Sequence, residues 1–144
     1  MAPGRGFTGS PPITSTCGNI GDIFDEPVRP ARVAAYVAQS NHILLLAIRE
    51  GQAVGQILGV IHHHPDKASE LYIDDLAVDP AFQRQGIATQ LINRLVDEGV
   101  RAGAETVWVA AEPDNRQATG LYKAIGLSHS TCLIFERALI GASS

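Results

Sequence analysis

One stretch constrains this chain more than any other: a strand that gives way, through a short loop, to a helix opened by glycine. It reads Leu76-Ala77-Val78-Asp79-Pro80-Ala81-Phe82-Gln83-Arg84-Gln85-Gly86-Ile87-Ala88-Thr89. Asp79-Pro80 ends the strand, because the residue before proline avoids helix and Asp favours turns. Gly86 to Ala102 then predicts the longest helix. Ile87, Leu91 and Leu95, with Ile92 and Val96, form one apolar stripe at three- and four-residue spacing. Gly103 suits the position just past its end.

The segments around this unit set the fold class. Pro30 to Gln39 predicts a short helix, with proline in its first turn and Val33, Tyr36 and Val37 on one face. His42 to Ile48 and Ala53 to Ile61 predict two strands joined at Glu50-Gly51-Gln52, a hairpin. Gly55 and Gly59 in the second strand mark bulges or close backbone approach. His62 to Lys67 is a polar loop. Glu70 to Val78 is the third strand, Glu105 to Ala111 a fourth, Asn115 to Ile125 a helix closed by Gly126, and Thr131 to Ala138 a last strand. Antiparallel strands followed by alternating strands and helices imply an α/β (α+β) fold, a mixed sheet with helices on its faces.

A chain of 144 residues with 45% apolar content is long enough for one domain with its own core. The glycines and prolines crowd forward, with ten in the first thirty residues. Residues 1–20 therefore predict an irregular lead-in, and 21–140 a single domain. No apolar run has the length of a secretory core or of a membrane span. Cys17 and Cys132 lack metal-site spacing, which predicts reduced thiols and a cytoplasmic location. Cys132, in the last strand, is expected in the core. The net charge of −4 argues against a nucleic-acid partner.

A helix start presents unpaired N–H groups and the positive end of the helix dipole. The small residues Gly86 and Ala88 would let a phosphate approach, and Arg84 would add charge. A tight turn needing glycine for geometry explains the same residues. The lysine of a Walker loop and the glycines of a Rossmann fingerprint are missing.

The pattern Gln83-x-x-Gly86-x-Ala88 resembles the coenzyme A signature of the GNAT superfamily of N-acetyltransferases. It follows a strand ending Leu76-Ala77-Val78. About thirty residues on, Asn115-x-x-Ala118-x-x-x-Tyr122-x-x-x-Gly126 looks like that family's second coenzyme A motif. Within the superfamily, Ser69 to Val78, Arg84 to Thr89 and Leu91-Ile92-Asn93 look like the gentamicin-type aminoglycoside 3-N-acetyltransferases. Two departures stand out: Asp74 replaces a tyrosine, and the helical region before His42 is short.

The resemblance implies a mostly antiparallel GNAT sheet and direct acetyl transfer from acetyl-CoA to an amine in a ternary complex. The coenzyme A pyrophosphate would rest on Gln83, Arg84, Gln85, Gly86, Ile87, Ala88 and Thr89. The pantetheine arm would pair beside Leu76, Ala77 and Val78, whose N–H groups could polarise the thioester carbonyl. Asn115 and Ala118 would bind the coenzyme arm, though an N-cap role suits Asn115 as well. Asp75 is the candidate base. By parity it shares a side with Leu71 and Ile73, unless a bulge turns it. Tyr122 would protonate the departing thiolate; packing in its apolar stripe is its other role. Asp74, Asp75 and Glu112 would meet the acceptor. Residues 66–79 carry five acids against Lys67, a stretch that would attract a polycationic aminoglycoside. A homodimer and a role in antibiotic resistance also follow from the resemblance. Two readings stay open: transfer to another amine (a protein N-terminus, lysine, polyamine or amino acid), and a non-catalytic acyl-CoA-binding module. His62-His63-His64 suits a polar hairpin end better than a metal site.

Overall fold

The computed structural model describes residues 23–141. The predicted lead-in over 1–20, and Cys17, lie outside the described residues. The chain divides into two compact units between Ala110 and Ala111.

The first unit runs α1 (Pro30–Val37), β1 (His42–Arg49), β2 (Gln52–His62), β3 (Ser69–Val78), a 3-10 turn (Pro80–Phe82), α2 (Ile87–Arg101) and β4 (Ala104–Val109). The strands form one sheet in the order β1-β2-β3-β4. The first two pairings are antiparallel and β3–β4 is parallel, so the sheet is mixed as expected. The β1–β2 turn uses Glu50 and Gly51 at φ 51° and 79°, the handedness that suits a tight hairpin.

Each face of the sheet buries a different set of side chains. On one face, Ile57, Ile61, Leu71 and Ile73 lie under the α2 stripe of Ile87, Leu91, Ile92 and Leu95, all buried. Each such side chain contributes about 1.5–3 kcal/mol. Gly59 makes this contact possible, because a Cβ there would sit 2.7 Å from Leu95 Cδ1. On the other face, Leu44, Leu46, Ala53 and Ile23 cluster, with Val33 and Tyr36 of α1, Leu58 and Ala77 packed against them.

Two irregularities of β3 give its C-terminal half a character of its own. Against β2, the register steps from Ile73 opposite Gly59 to Asp75 opposite Leu58, leaving Asp74 as an extra, bulged residue. Against β4, pairing runs from Ser69 to Ile73 and ends there. Residues 75–78 therefore pair with β2 alone.

The second unit holds α3 (Arg116–Ala124). Gly126, at φ 96°, ends it, and Leu127 N–H donates to Tyr122 O at 3.0 Å. The strand expected over Thr131–Ala138 is absent. Leu133, Ile134 and Phe135 are exposed, and Cys132 is an exposed free thiol rather than a core one. A strand exists only where its N–H and C=O groups meet a partner edge, and this segment meets none among the described residues. Three consecutive apolar residues also lack the period-two alternation that gives a strand one buried face.

Candidate active site

The loop between β3 and α2 is built from its first residue. Asp79 Oδ1 accepts the Ala81 N–H at 2.9 Å, and its carbonyl accepts the Phe82 N–H at 2.8 Å, which forms the 3-10 turn. Gln83 Nε2 reaches back to Val78 O at 3.2 Å and ties the loop to the strand end. Arg84 and Gly86 then take left-handed φ values of 65° and 79°. A Cβ on Gly86 would meet nothing within 4 Å, so the glycine serves the backbone angle rather than close packing. Gly86 caps α2 without a side-chain hydrogen bond, and Gln90 N–H donates to Gly86 O at 3.0 Å. The amides before Gln90 lie in the first turn, where helix geometry supplies no backbone acceptor. Together with the dipole and the exposed Arg84, they suit a diphosphate.

The second half of β3 offers a different surface. Asp79 N–H donates to Val54 O at 2.8 Å. By antiparallel alternation, the N–H groups of Ala77 and Asp75 also face β2, while those of Leu76 and Val78 face the edge that β4 has left. That is the edge expected beside an extended cofactor arm. One of its donors is engaged, since Leu76 N–H donates to Asp75 Oδ1 at 3.0 Å.

Asp75 itself corrects the parity expectation. The extra residue Asp74 reverses the alternation, so Asp75 turns away from the Leu71 and Ile73 side and lies beside Leu58 and Gln56. Gln56 Nε2 donates to Asp75 Oδ2 at 2.8 Å and to Ile23 O at 3.0 Å. Gln56 is the one buried polar side chain among the described residues, at 0% exposure, and its Oε1 finds no donor. A buried acceptor left that way costs about 1–3 kcal/mol. Tyr36 joins the group from α1. Its hydroxyl donates to Gly59 O at 3.2 Å, beside the bulge. Burial, and then the charges of Asp74 and Asp75, hold that phenol well above the usual tyrosine range. Burial and Asp74 push Tyr72 the same way.

Sequence reasoning missed Gln56 altogether and saw Tyr36 only as a helix-face residue. A signal for Gln56 was present: it interrupts the otherwise apolar run Ala53 to Ile61.

The remaining acids of the 66–79 stretch do not form one patch. Glu70 lies 3.7 Å from Lys67 and 3.6 Å from His64, and Asp79 is spent on the turn. The histidines also divide. His62 stacks on Tyr72, which packs on Trp108 at 4.4 Å, a cross-strand aromatic row, while His63 bonds Ser69.

The structure thus brings Asp74, Asp75, Leu76, Ala77, Val78 and residues 83–89 into the first unit. Glu112, Asn115, Ala118 and Tyr122 belong to the second. There Asn115 Oδ1 accepts the Ala118 N–H at 3.1 Å and caps the start of α3. Glu112 is exposed and its carbonyl accepts the Asn115 N–H at 3.0 Å. Tyr122 is half-buried on α3.

Among known proteins, the profile of the acetyltransferase (GNAT) family matches residues 17–127. The alanine N-acetyltransferase of ribosomal protein bS18 from Escherichia coli K12 is 36% identical over 62 residues. That alignment covers 43% of this chain and 42% of the relative's length. An aminoglycoside acetyltransferase from an uncultured soil metagenomic sample superposes with a TM-score of 0.74 at 28% identity, covering 89% of this chain and 90% of its own. A second soil metagenomic aminoglycoside acetyltransferase, in complex with sisomicin, gives a TM-score of 0.73 at 25% identity, covering 81% of this chain and 78% of its own.

Proposed function

Because the chain belongs to the GNAT acetyltransferase family, we propose that it is an acetyl-CoA-dependent N-acetyltransferase. In this reading, one domain over 21–140 moves an acetyl group directly to a primary amine in a ternary complex. The favoured acceptor is an aminoglycoside, modified at its 3-N position. The observation that carries the reading is the open second half of β3 leading into the Arg84–Gly86 loop. An extended thioester arm and its diphosphate need these two surfaces in that order.

Acetyl-CoA supplies the activated acetyl group. Amides from Gln83 to Thr89, with Arg84, hold the diphosphate. Leu76, Ala77 and Val78 pair with the pantetheine arm, and the Val78 N–H group faces the thioester, the Leu76 N–H being held by Asp75 Oδ1. Asp75 takes the proton that the acceptor ammonium must lose before nitrogen can attack. Tyr122 gives its phenolic proton to the departing sulfur. Asn115 and Ala118 contact the arm at the start of α3, while Asp74 and Glu112 hold cationic groups of the acceptor.

The aminoglycoside acceptor draws support from the two soil enzymes and from the acids at the β3 bulge. Thiol release from acetyl-CoA with gentamicin tests it, and NMR of the product distinguishes 3-N from other positions. Release with an alanine-initiated peptide but not with gentamicin would favour a second reading, transfer to a protein N-terminus, which the bS18 relative supports. Calorimetry with coenzyme A tests the cofactor directly; absence of binding at high micromolar concentration overturns both readings.

A further inference from the structure

We propose that Gln56 is a positioning residue for Asp75: its amide holds the carboxylate where the acceptor's proton must be taken. This inference rests on the acetyl-transfer reading and adds to it a residue that lies on another strand.

Gln56 is out of place on its strand. A glutamine at the centre of an apolar strand is a poor choice for stability, because an apolar side chain of similar length would bury as well with no polar atoms to satisfy. Here the amide is fully buried, and its Oε1 remains without a donor. Both N–H groups of Nε2, in contrast, are used, one on Ile23 O and one on Asp75 Oδ2. The donor end of the amide is satisfied and the acceptor end is not, so the arrangement serves what the donors hold.

What they hold is the carboxylate that the bulge has turned over. The extra residue Asp74 brings Asp75 onto the face that carries Gln56, diagonally across from it in the β2–β3 register. Leu76 N–H fixes Oδ1 and Gln56 Nε2 fixes Oδ2, so the carboxyl plane has a contact on each oxygen. A neutral amide does this without cancelling the charge, as an Arg or Lys partner would. Each carboxylate oxygen keeps further acceptor capacity for a proton. The Ile23 carbonyl, at the other end of the amide, stops Gln56 from rotating away.

A double-mutant cycle in turnover tests this. Gln56→Met keeps the length and the burial while removing the donors. It is expected to lower kcat about tenfold, a part of the 10²–10⁴-fold that a positioned base contributes, with the KM for acetyl-CoA within about twofold. Asp75→Asn lowers kcat further, and adding Gln56→Met to it produces no additional loss, because the positioned group is gone. Full additivity of the two changes would overturn the proposal, as would an unaltered kcat for Gln56→Met.

A second measurement does not need turnover. In wild-type protein one Gln56 Nε2 proton is expected downfield and slow to exchange by NMR, and to move in Asp75→Ala. An Nε2 signal indifferent to Asp75 overturns the contact and the proposal with it. Wild-type protein that binds acetyl-CoA yet acetylates no amine would instead overturn the transfer reading, an outcome separable from either of these.

Discussion

The two halves of β3 share one strand and little else. Glu70 to Ile73 pair on both sides, with β2 and with β4, and send Leu71 and Ile73 into the core under α2. Asp74 bulges out and Asp75 to Val78 pair only with β2; this half carries two adjacent carboxylates and leads into the loop at Arg84 and Gly86. The first half spends its hydrogen bonds and side chains on stability. The second keeps an edge of backbone donors and a pair of charges available. The contrast teaches that one strand can anchor a sheet and present chemistry, provided that a bulge separates the two tasks.

The largest expected effect lies in the closed half. Leu71→Ala should destabilise the protein by about 2–5 kcal/mol in denaturant unfolding, while turnover per folded molecule is retained. In the open half the pattern should reverse. Asp75→Asn is expected to cost about hundredfold in kcat, within the range of general-base effects, with coenzyme A affinity by calorimetry within about twofold. If Asp75→Asn destabilised the protein and left kcat per folded molecule intact, the division between the halves would be lost.

Gly86→Ala forces a Cβ into left-handed backbone, a strain of about 1–2 kcal/mol, and should weaken coenzyme A binding about tenfold in the same calorimetric assay. Tyr36→Phe removes the bond to Gly59 O and should cost about 0.5–1.5 kcal/mol in thermal unfolding. Its phenol titrates above the unfolded value of about 10, so folding favours the protonated form. The stability linked to it is present in full below a pH of about 10 and falls as pH rises beyond that. Alkaline unfolding monitored by circular dichroism should therefore shift upward in Tyr36→Phe. Lys67→Ala, which loses only an exposed 3.7 Å pair with Glu70, should change stability by less than about 0.5 kcal/mol in the same melt.

Sequence patterning made the closed half legible. Apolar runs bounded by turn residues identified β1 to β4, and the three- and four-residue stripe identified α2, because burial writes itself into residue order. The Gly86 turn was legible for the same local reason. The orientation of Asp75 was not, since a bulge depends on how β2 and β3 align, and Asp74 gives no local sign of being the extra residue. Gln56 escaped because its partners, Ile23 and Asp75, are 33 and 19 residues away along the chain. The segment over Thr131–Ala138 misled for the opposite reason: its apolar residues suggested a strand, but strands are made by partners and not by composition.

The bulge also bears on how β3 tolerates changes in chain length. Gly59 and Leu58, the partners of Ile73 and Asp75, are already consecutive on β2. Loss of Asp74 by a single codon deletion would therefore close the register, and Asp75 to Val78 would keep their faces. Loss of Tyr72 has no such remedy. If the bulge absorbed that deletion, Asp74 would inherit the place of Ile73 and carry a carboxylate under α2. The bulge thus acts as an expansion joint, a point where a residue can be given up without turning either half of the strand over.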